Sequence, residues 1–373
     1  METLTTGALM TVAACDGRGA VRLESRARPE PGPGEMLLAL RCAGLCGTDL
    51  FKIRHGTVAP GTVLGHEVVG TVEALGRGVA GFAPGDRVVV PHHVACGICA
   101  LCRRGSATLC PVFRDNLLSP GGFAGHVLVR ERAVRQAAFG VPDHVTDEAA
   151  VFLEPAACVL RGIRHARLAE TMAAALEEPR NPPPLAVILG GGSMGLLHLL
   201  LLRTLFPALC TMVSEPLEER RLLALRLGAD AAAPPDEASA AVAALSDGLG
   251  AEVAFDTAGG SGPLEAALAL TREGGTVVLF AHAPGAGAAA ERAGFDLNAF
   301  FKSERKLLAT YSSALSEQRE IYRLLATHRL DPSPLVTHRL PLSRIAEAIE
   351  LAAGRQALKV LLLPDANGAP EMP

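Results

Sequence analysis

The stretch "LAVILGGGSMGLLHLLLL", Leu185–Leu202, restricts the possible folds more than any other part of this chain. It is long and apolar enough to raise a membrane span, but three successive glycines at its centre, with Ser193 and His198, make it a poor lipid-facing helix. A buried strand, a glycine turn and a buried helix suit the same residues better. Downstream, the strand-like "LCTMVSE", "EVAFDTAGG" and "GGTVVLFAHA" follow, with Ala/Leu/Arg-rich helical stretches between the early ones. That alternation predicts an α/β fold with a doubly wound parallel sheet of the Rossmann kind. The strand-like "KLLATYSS" and "LKVLLLP" flank the helical "SEQREIYRLLATH" and "SRIAEAIELAAG". Ala231–Ala244 is Ala-rich and reads as helix or loop. No internal repeat stands out.

Within that stretch Gly190, Gly192 and Gly195 form G-x-G-x-x-G after a strand and open a helix through Ser193 and Met194. Such a turn lets a pyrophosphate approach the helix N-terminus. An acid twenty residues beyond Gly195, Glu215 in "MVSEP", strengthens an otherwise weak motif. Its carboxylate would accept hydrogen bonds from the adenosine ribose hydroxyls and repel a 2′-phosphate, which favours NAD over NADP. Arg220 and Arg221 leave some room for NADP, with Arg220 expected too far along its helix to cancel the acid.

The first half reads differently. "EMLLALRCAG", "VVGTVEAL", "DRVVVPHHV" and "GHVLVRERAV" are short β-like runs separated by Gly, Pro and Asp turns. Near Asp147 the texture turns helical, and "EEPRNPPP" (Glu177–Pro184) breaks any helix before the glycine stretch. A chain of 373 residues suggests two domains. A formal charge of −4 without a basic run argues against nucleic acid or an anionic membrane as partner. The N-terminal residues lack a secretory pattern and the nine cysteines are an odd number, so a reducing, cytoplasmic location is expected.

Four of those cysteines stand at Cys96-x2-Cys99-x2-Cys102-x7-Cys110. Tight turns bring the first three sulfurs together and a short loop returns the fourth, a set suited to a closed, structural Zn²⁺. An iron–sulfur ending would place three residues, not seven, before the last Cys-Pro. A closed site staples a loop and does no chemistry, so the reactive centre lies elsewhere. Cys46 in "GLCGTDL" and His66 in "LGHEVVGTVEALGRGV" offer an open site, with Glu67 and Glu154 both candidates for an acidic third ligand. Asp49 is placed to accept the His66 ring N–H.

"GHEVVGTVEALGRGV", with Gly65, His66, Glu67, Gly70, Gly76 and Val79, resembles the signature of zinc-containing alcohol dehydrogenases. With "CGTD", the four-cysteine loop and the glycine turn in order, nearly the whole chain is similar to the zinc-dependent medium-chain dehydrogenases. The resemblance implies a GroES-like β-rich catalytic domain over residues 1–156, a Rossmann domain over 157–311, and a C-terminal return to the catalytic domain over 312–373. It also implies that Cys46, His66 and Glu154 hold a catalytic zinc and that Glu67 can enter its coordination sphere. Glutamate at position 154, where classical members carry cysteine, is similar to the sorbitol, threonine and polyol branch.

The expected activity is therefore hydride transfer between NAD(H) and a secondary alcohol, polyol or amino alcohol and its ketone. Two zincs per subunit and a homodimer or homotetramer are expected with it. Thr48 resembles the residue that starts proton release, although a threonine there also reads as a helix cap. Relatives often carry histidine where Phe51 stands, leaving His55 as the nearest replacement in the relay. An NADP-dependent alcohol dehydrogenase or aldehyde reductase is the alternative within the class. A non-catalytic zinc- and nucleotide-binding regulatory protein is the alternative outside it, disfavoured because Cys46, His66 and Glu154 are all present.

Overall fold

The computed structural model describes residues 8–177, 182–283, 285, 291–292 and 294–365. The chain divides into two units, Met1–Pro155 with Ala314–Pro373, and Ala156–Ser313.

The first unit is mostly β. A hairpin of β1 (Leu9–Cys15) and β2 (Val21–Ala27) accompanies β3 (Met36–Gly44), β4 (Glu67–Leu75), β5 (Arg87–Pro91), β6 (Leu118–Ser119), β7 (His126–Val129) and β8 (Phe139–Gly140). The nine apolar-rich residues of β3 make it the central strand, antiparallel to β4 on one side. Glu67 lies opposite Gly44 in that ladder, so the strand ends carry Cys46 and His66 to one place. Met36, Leu38, Val68, Val72, Val88, Phe123 and Val127 fill the core of this unit.

One expected strand is shorter than the pattern suggested. "GHVLVRERAV" is strand only to Val129, and Glu131–Ala137 is a helix. The reason lies in the partner: Val129 pairs with Met36, where β3 begins, so Arg130 onward has no ladder on that strand to join.

The second unit holds β9 (Leu185–Leu189), β10 (Cys210–Ser214), β11 (Ala231–Ala233), β12 (Ala251–Asp256), β13 (Thr271–Leu279) and β14 (Lys306–Ala309). They form a parallel sheet in the order β11-β10-β9-β12-β13-β14. Numbered within the unit this is 3-2-1-4-5-6, the doubly wound order, which creates a ligand crevice at the carboxyl end of its first strand. Strand β9 is buried along its whole length, as a strand covered on both faces must be. The 18-residue apolar stretch is thus β9, a turn and the helix Ser193–Leu205, and no described helix is long and apolar enough to cross a membrane.

Ala231–Ala244 proved to be a strand as well as a helix. Alanine is a weak strand former, and pairing of Ala231–Ala233 with Met212–Ser214 supplies what propensity does not. Of the proline-rich break before β9, residues 178–181 lie outside the described residues. The last strands, β15 (Val336–Pro341) and β16 (Lys359–Leu363), return to the first unit, where β16 pairs with Ala43 and Gly44 of β3.

Candidate functional site

The four-cysteine loop closes on itself through the short helix Ala100–Arg103 and the 3₁₀ turn Ala107–Leu109. Its sulfurs lie 3.5 Å apart for Cys99–Cys102 and Cys96–Cys110, and 3.9 Å for Cys96–Cys102. Zinc–sulfur bonds of about 2.3 Å in a tetrahedron require sulfur–sulfur edges of about 3.8 Å. Disulfide bonds would be far shorter, and all nine cysteines are free. Backbone N–H groups of Ile98 and Cys99 pull the Cys96 thiol down to about 6, while burial and the Cys99 sulfur push Cys102 up to about 12. Four thiols crowded into one place thus share charge poorly among themselves, and a cation at their centre is the group that fits.

The second set is built around β3 and β4. Cys46 is the N-cap of the helix Gly47–Arg54, and His66 immediately precedes β4. Ligand atoms of Cys46, His66 and Glu67 lie within 4.8 Å of one another. Asp49, wholly buried, holds this geometry. Its Oδ2 accepts the Cys46 N–H at 3.1 Å, and its Oδ1 accepts from Gly65 N at 3.4 Å and faces His66 Nδ1 at 3.3 Å. That pairing leaves the other ring nitrogen of His66 free to ligate. Burial opposes the protonated form of His66, yet the charges of Asp49 and Cys46 outweigh it and raise its pKa well above the usual value. A neutral ligating imidazole therefore needs a competing cation close by, and a thiolate, an imidazole and a carboxylate are a donor set that suits zinc.

Glu154 occupies the first turn of the helix Leu153–His165 and is buried, but it stands outside the 4.8 Å set. Thr48 lies half-buried in the first turn of the Gly47–Arg54 helix. Because Cys46 is the N-cap, helix capping is not the role of Thr48. His55 is the exposed C-cap residue of that helix and packs on Phe51 with ring centroids 4.6 Å apart.

Two features escaped the sequence reading. Lys359, the first residue of β16, is buried and donates to both carboxylate oxygens of Glu67, at 2.7 and 2.8 Å. Burial works against its charge, but Glu67, Cys46 and Glu154 together raise its pKa above that of an ordinary lysine. The signal available was a lysine entering an otherwise apolar strand. His92 and His93 form the second feature: His92 packs on His66 at 4.6 Å and on His93 at 3.6 Å. Desolvation, then the charge of His66, lowers both, His93 to about 4.

In the second unit the glycine turn leaves β9 and enters the helix Ser193–Leu205, with Gly192 as N-cap and Ser193 as first residue. Gly195 is required by a close approach: a Cβ there would fall 1.8 Å from the Gly190 carbonyl oxygen. Met194 accepts a hydrogen bond from His198 Nδ1 through its carbonyl. Glu215 follows β10 and is buried, its Oε2 accepting from Gly191 N at 2.6 Å and its Oε1 from Leu217 N at 3.0 Å. The acid is thus fixed against the turn where a ribose would lie. Arg221 is committed to the carbonyls of Glu215 and Pro216. Arg220 departs from expectation: its Nη1 comes within 3.9 Å of the position a Gly192 Cβ would take, so it reaches the mouth of the turn. Only three residues separate β10 from the helix Glu218–Arg226, which places Arg220 in the first turn of that helix.

Comparison with known proteins follows the same lines. Residues 32–141 match the alcohol dehydrogenase GroES-like domain, and residues 194–327 match the zinc-binding dehydrogenase family. The D-altritol 5-dehydrogenase of Agrobacterium fabrum is 33% identical over 84% of this chain and 87% of its own. The sorbitol dehydrogenase of Gallus gallus is 29% identical over 93% and 94%, respectively. The L-threonine 3-dehydrogenase of Pyrococcus furiosus is 29% identical over 90% and 92%. Among solved structures, the alcohol dehydrogenase TADH from Thermus sp. ATN1 superposes with a TM-score of 0.80 at 27% identity, covering 95% of this chain and all of that one. A protein from Sinorhizobium meliloti 1021 described as a zinc-binding dehydrogenase, bound to NADP, gives 0.79 at 28% identity over 96% and 100%.

Proposed function

The chain belongs to the zinc-dependent medium-chain dehydrogenases, in their polyol dehydrogenase-like branch, and on that premise we propose that it oxidises a secondary alcohol, polyol or amino alcohol with NAD and reduces the matching ketone. The observation that carries the reading is the pairing, in one unit, of a closed four-thiolate set with an open Cys46–His66–carboxylate set. The first can only staple; the second has room for a substrate oxygen.

Cys46, His66 and Glu154 would hold the catalytic zinc, with Glu67 in reserve, and Cys96, Cys99, Cys102 and Cys110 the structural one. When bound, the zinc supplies Lewis acidity to the substrate oxygen and the nicotinamide accepts the hydride. Asp49 fixes the ring of His66 so that its free nitrogen keeps one direction. The Thr48 hydroxyl takes the proton leaving the substrate alcohol and passes it on. Phe51 cannot carry a proton, so His55 or ordered water continues the path toward solvent.

Glu215 supports NAD, because its anchored carboxylate offers hydrogen bonds to a ribose diol and repulsion to a phosphate. Arg220 favours the second reading, NADP, which the S. meliloti protein binds. We rank NAD first because the carboxylate is buried and doubly held. Exposed Leu297 and Phe301, on the helix preceding the edge strand β14, support self-association as a homodimer or homotetramer. Nine free cysteines suit a reducing, cytoplasmic setting.

Metal analysis of the purified protein, followed by absorbance of the reduced nicotinamide with polyols, amino alcohols and simple secondary alcohols, tests the proposal. Zinc at two sites per chain and NAD reduction by at least one of these classes is the expected result. Failure to reduce either NAD or NADP with any of them, in zinc-replete protein, would overturn it.

A further inference from the structure

The open site has two carboxylates at hand, and one of them, Glu67, is held by a buried lysine. Glu67 is in the compact set with Cys46 and His66, yet both of its oxygens accept from Lys359 Nζ. The pair is sealed from water, with side-chain exposures of 2% for Lys359 and 0% for Glu67. The ammonium also reaches the Leu45 carbonyl at 3.4 Å and lies 5.5 Å from the centre of the Phe152 ring. On the other side, β3 presents Gly44, which has no side chain. A Cβ on Gly44 would fall 1.9 Å from Glu67 Oε2, so glycine alone leaves the volume that the carboxylate fills. Glu67 therefore has a built seat, a cation on one side and a vacated side-chain position on the other.

Such a seat competes with a metal ion for the same lone pairs. A carboxylate whose two oxygens each accept a short charge-assisted bond from an ammonium is a poorer donor to a second cation. The competition matters only at a centre where Glu67 stands close enough to ligate, and its ligand atom is within 4.8 Å of those of Cys46 and His66.

We propose that Lys359 is a positioning residue for the catalytic metal: it holds Glu67 off the ion, keeping one coordination position open for substrate and Glu67 as a reserve ligand. The inference rests on the assignment of Cys46, His66 and Glu154 as zinc ligands, and it adds the residue that restrains Glu67. Lys359 touches neither substrate nor metal; it acts through Glu67. Removing its charge should deliver Glu67 to the ion as a fifth ligand, crowding the position that substrate needs.

Cobalt placed in the open site, with zinc retained by the four cysteines, reports coordination number directly through its visible absorption. Four-coordinate cobalt absorbs strongly, and a fifth ligand weakens the bands. Lys359→Met is expected to lower their intensity by about two-fold or more as the site expands to five ligands. Lys359→Arg should retain the unmodified spectrum, and so should the Lys359→Met, Glu67→Gln double variant, which has no carboxylate to deliver. Gly44→Ala, which fills the seat from the opposite side, should give the same weakened spectrum as Lys359→Met. This second route keeps the test decisive if Lys359→Met folds poorly. A spectrum unchanged in both Lys359→Met and Gly44→Ala would overturn the proposal, as would the same loss of intensity in the double variant. If the unmodified protein takes up cobalt only at the four cysteines, the catalytic-site assignment itself falls, and this inference with it.

Discussion

At the turn after β9 two side chains of opposite sign compete for one ribose. Glu215 is fixed by Gly191 and Leu217 N–H groups, whereas Arg220 reaches the turn from the following helix on a long, rotatable stem. A fixed acceptor loses little entropy on binding, so the acid should dominate. We expect NAD to be preferred over NADP by at least about 10-fold in kcat/KM, a difference of about 1.4 kcal/mol. Glu215→Ser should erase most of that preference, and equal use of both cofactors by the unmodified protein would show that Arg220 governs instead. Proton release is a second question settled by single side chains. Thr48 adjoins the metal set through Cys46, while His55 sits exposed at the far end of the same helix. Thr48→Ala should cost roughly 100-fold in turnover, the scale of a lost proton-transfer group, and His55→Ala less. A larger loss at His55 would place the relay elsewhere, and His92, packed on His66, and His93, packed on His92, would be the next residues to change.

The Cys96–Cys110 loop has little besides its sulfurs to hold it. Ile98, Leu101 and Leu109 are all exposed, and the only helical pieces are four and three residues long. An element with so few buried apolar groups would depend for order on the zinc proposed there. Cys99→Ser should therefore release that metal and lower the melting temperature by at least about 5 °C, or cause aggregation, by the usual scaling of a lost structural ligand. Cys46→Ala removes a ligand from a site framed by β3, β4 and the Gly47–Arg54 helix, whose own ladders persist without it. Activity should vanish there, with melting changed by no more than about 2 °C. Equal losses of activity and stability in both variants would refute the division into a structural and a catalytic site.

For the molecule as a whole, desolvated histidines tie stability to mild acid, and His198 is the one that stands apart from the metal sets. His198, fully buried in the helix Ser193–Leu205, packs on Phe255 and Phe280 and donates from Nδ1 to Met194, while its Nε2 has no partner among the described residues. Desolvation lowers its pKa to about 4 from the ordinary 6.5. Above the ordinary value both folded and unfolded chains are neutral there, and the folded state keeps its full stability. As the pH falls from 6.5 toward 4 the unfolded chain takes the proton and the folded chain does not, so stability declines, by about 3 kcal/mol in total. Denaturation followed between pH 7.5 and 4 should show a flatter decline for His198→Leu than for the unmodified protein. Parallel profiles would mean that other groups carry the acid sensitivity.

Much of this protein was legible in the order of its residues, because the decisive signals are local. Strand, glycine turn and helix follow one another within Leu185–Leu205, and the approach of Gly195 to Gly190 is a contact five residues long. The four cysteines likewise meet within one loop, and Asp49 meets Cys46 within one helical turn. Spacing alone carries such information. The sequence by itself therefore determined the doubly wound sheet, the closed thiolate set, and Cys46 and His66 as an open one. Tertiary structure alone decided which charges meet there. Lys359 joins Glu67 across 292 positions because β16 pairs with β3 in the register that sets Leu361 opposite Gly44, and Glu67 is set opposite Gly44 from the other side. A slip of one residue in either ladder would turn these side chains to the opposite face, and no local pattern records the register between strands so distant in the chain. The position of Arg220 at the turn and the packing of His92 on His66 are decided in the same way, by how separate elements are brought together rather than by the residues beside them.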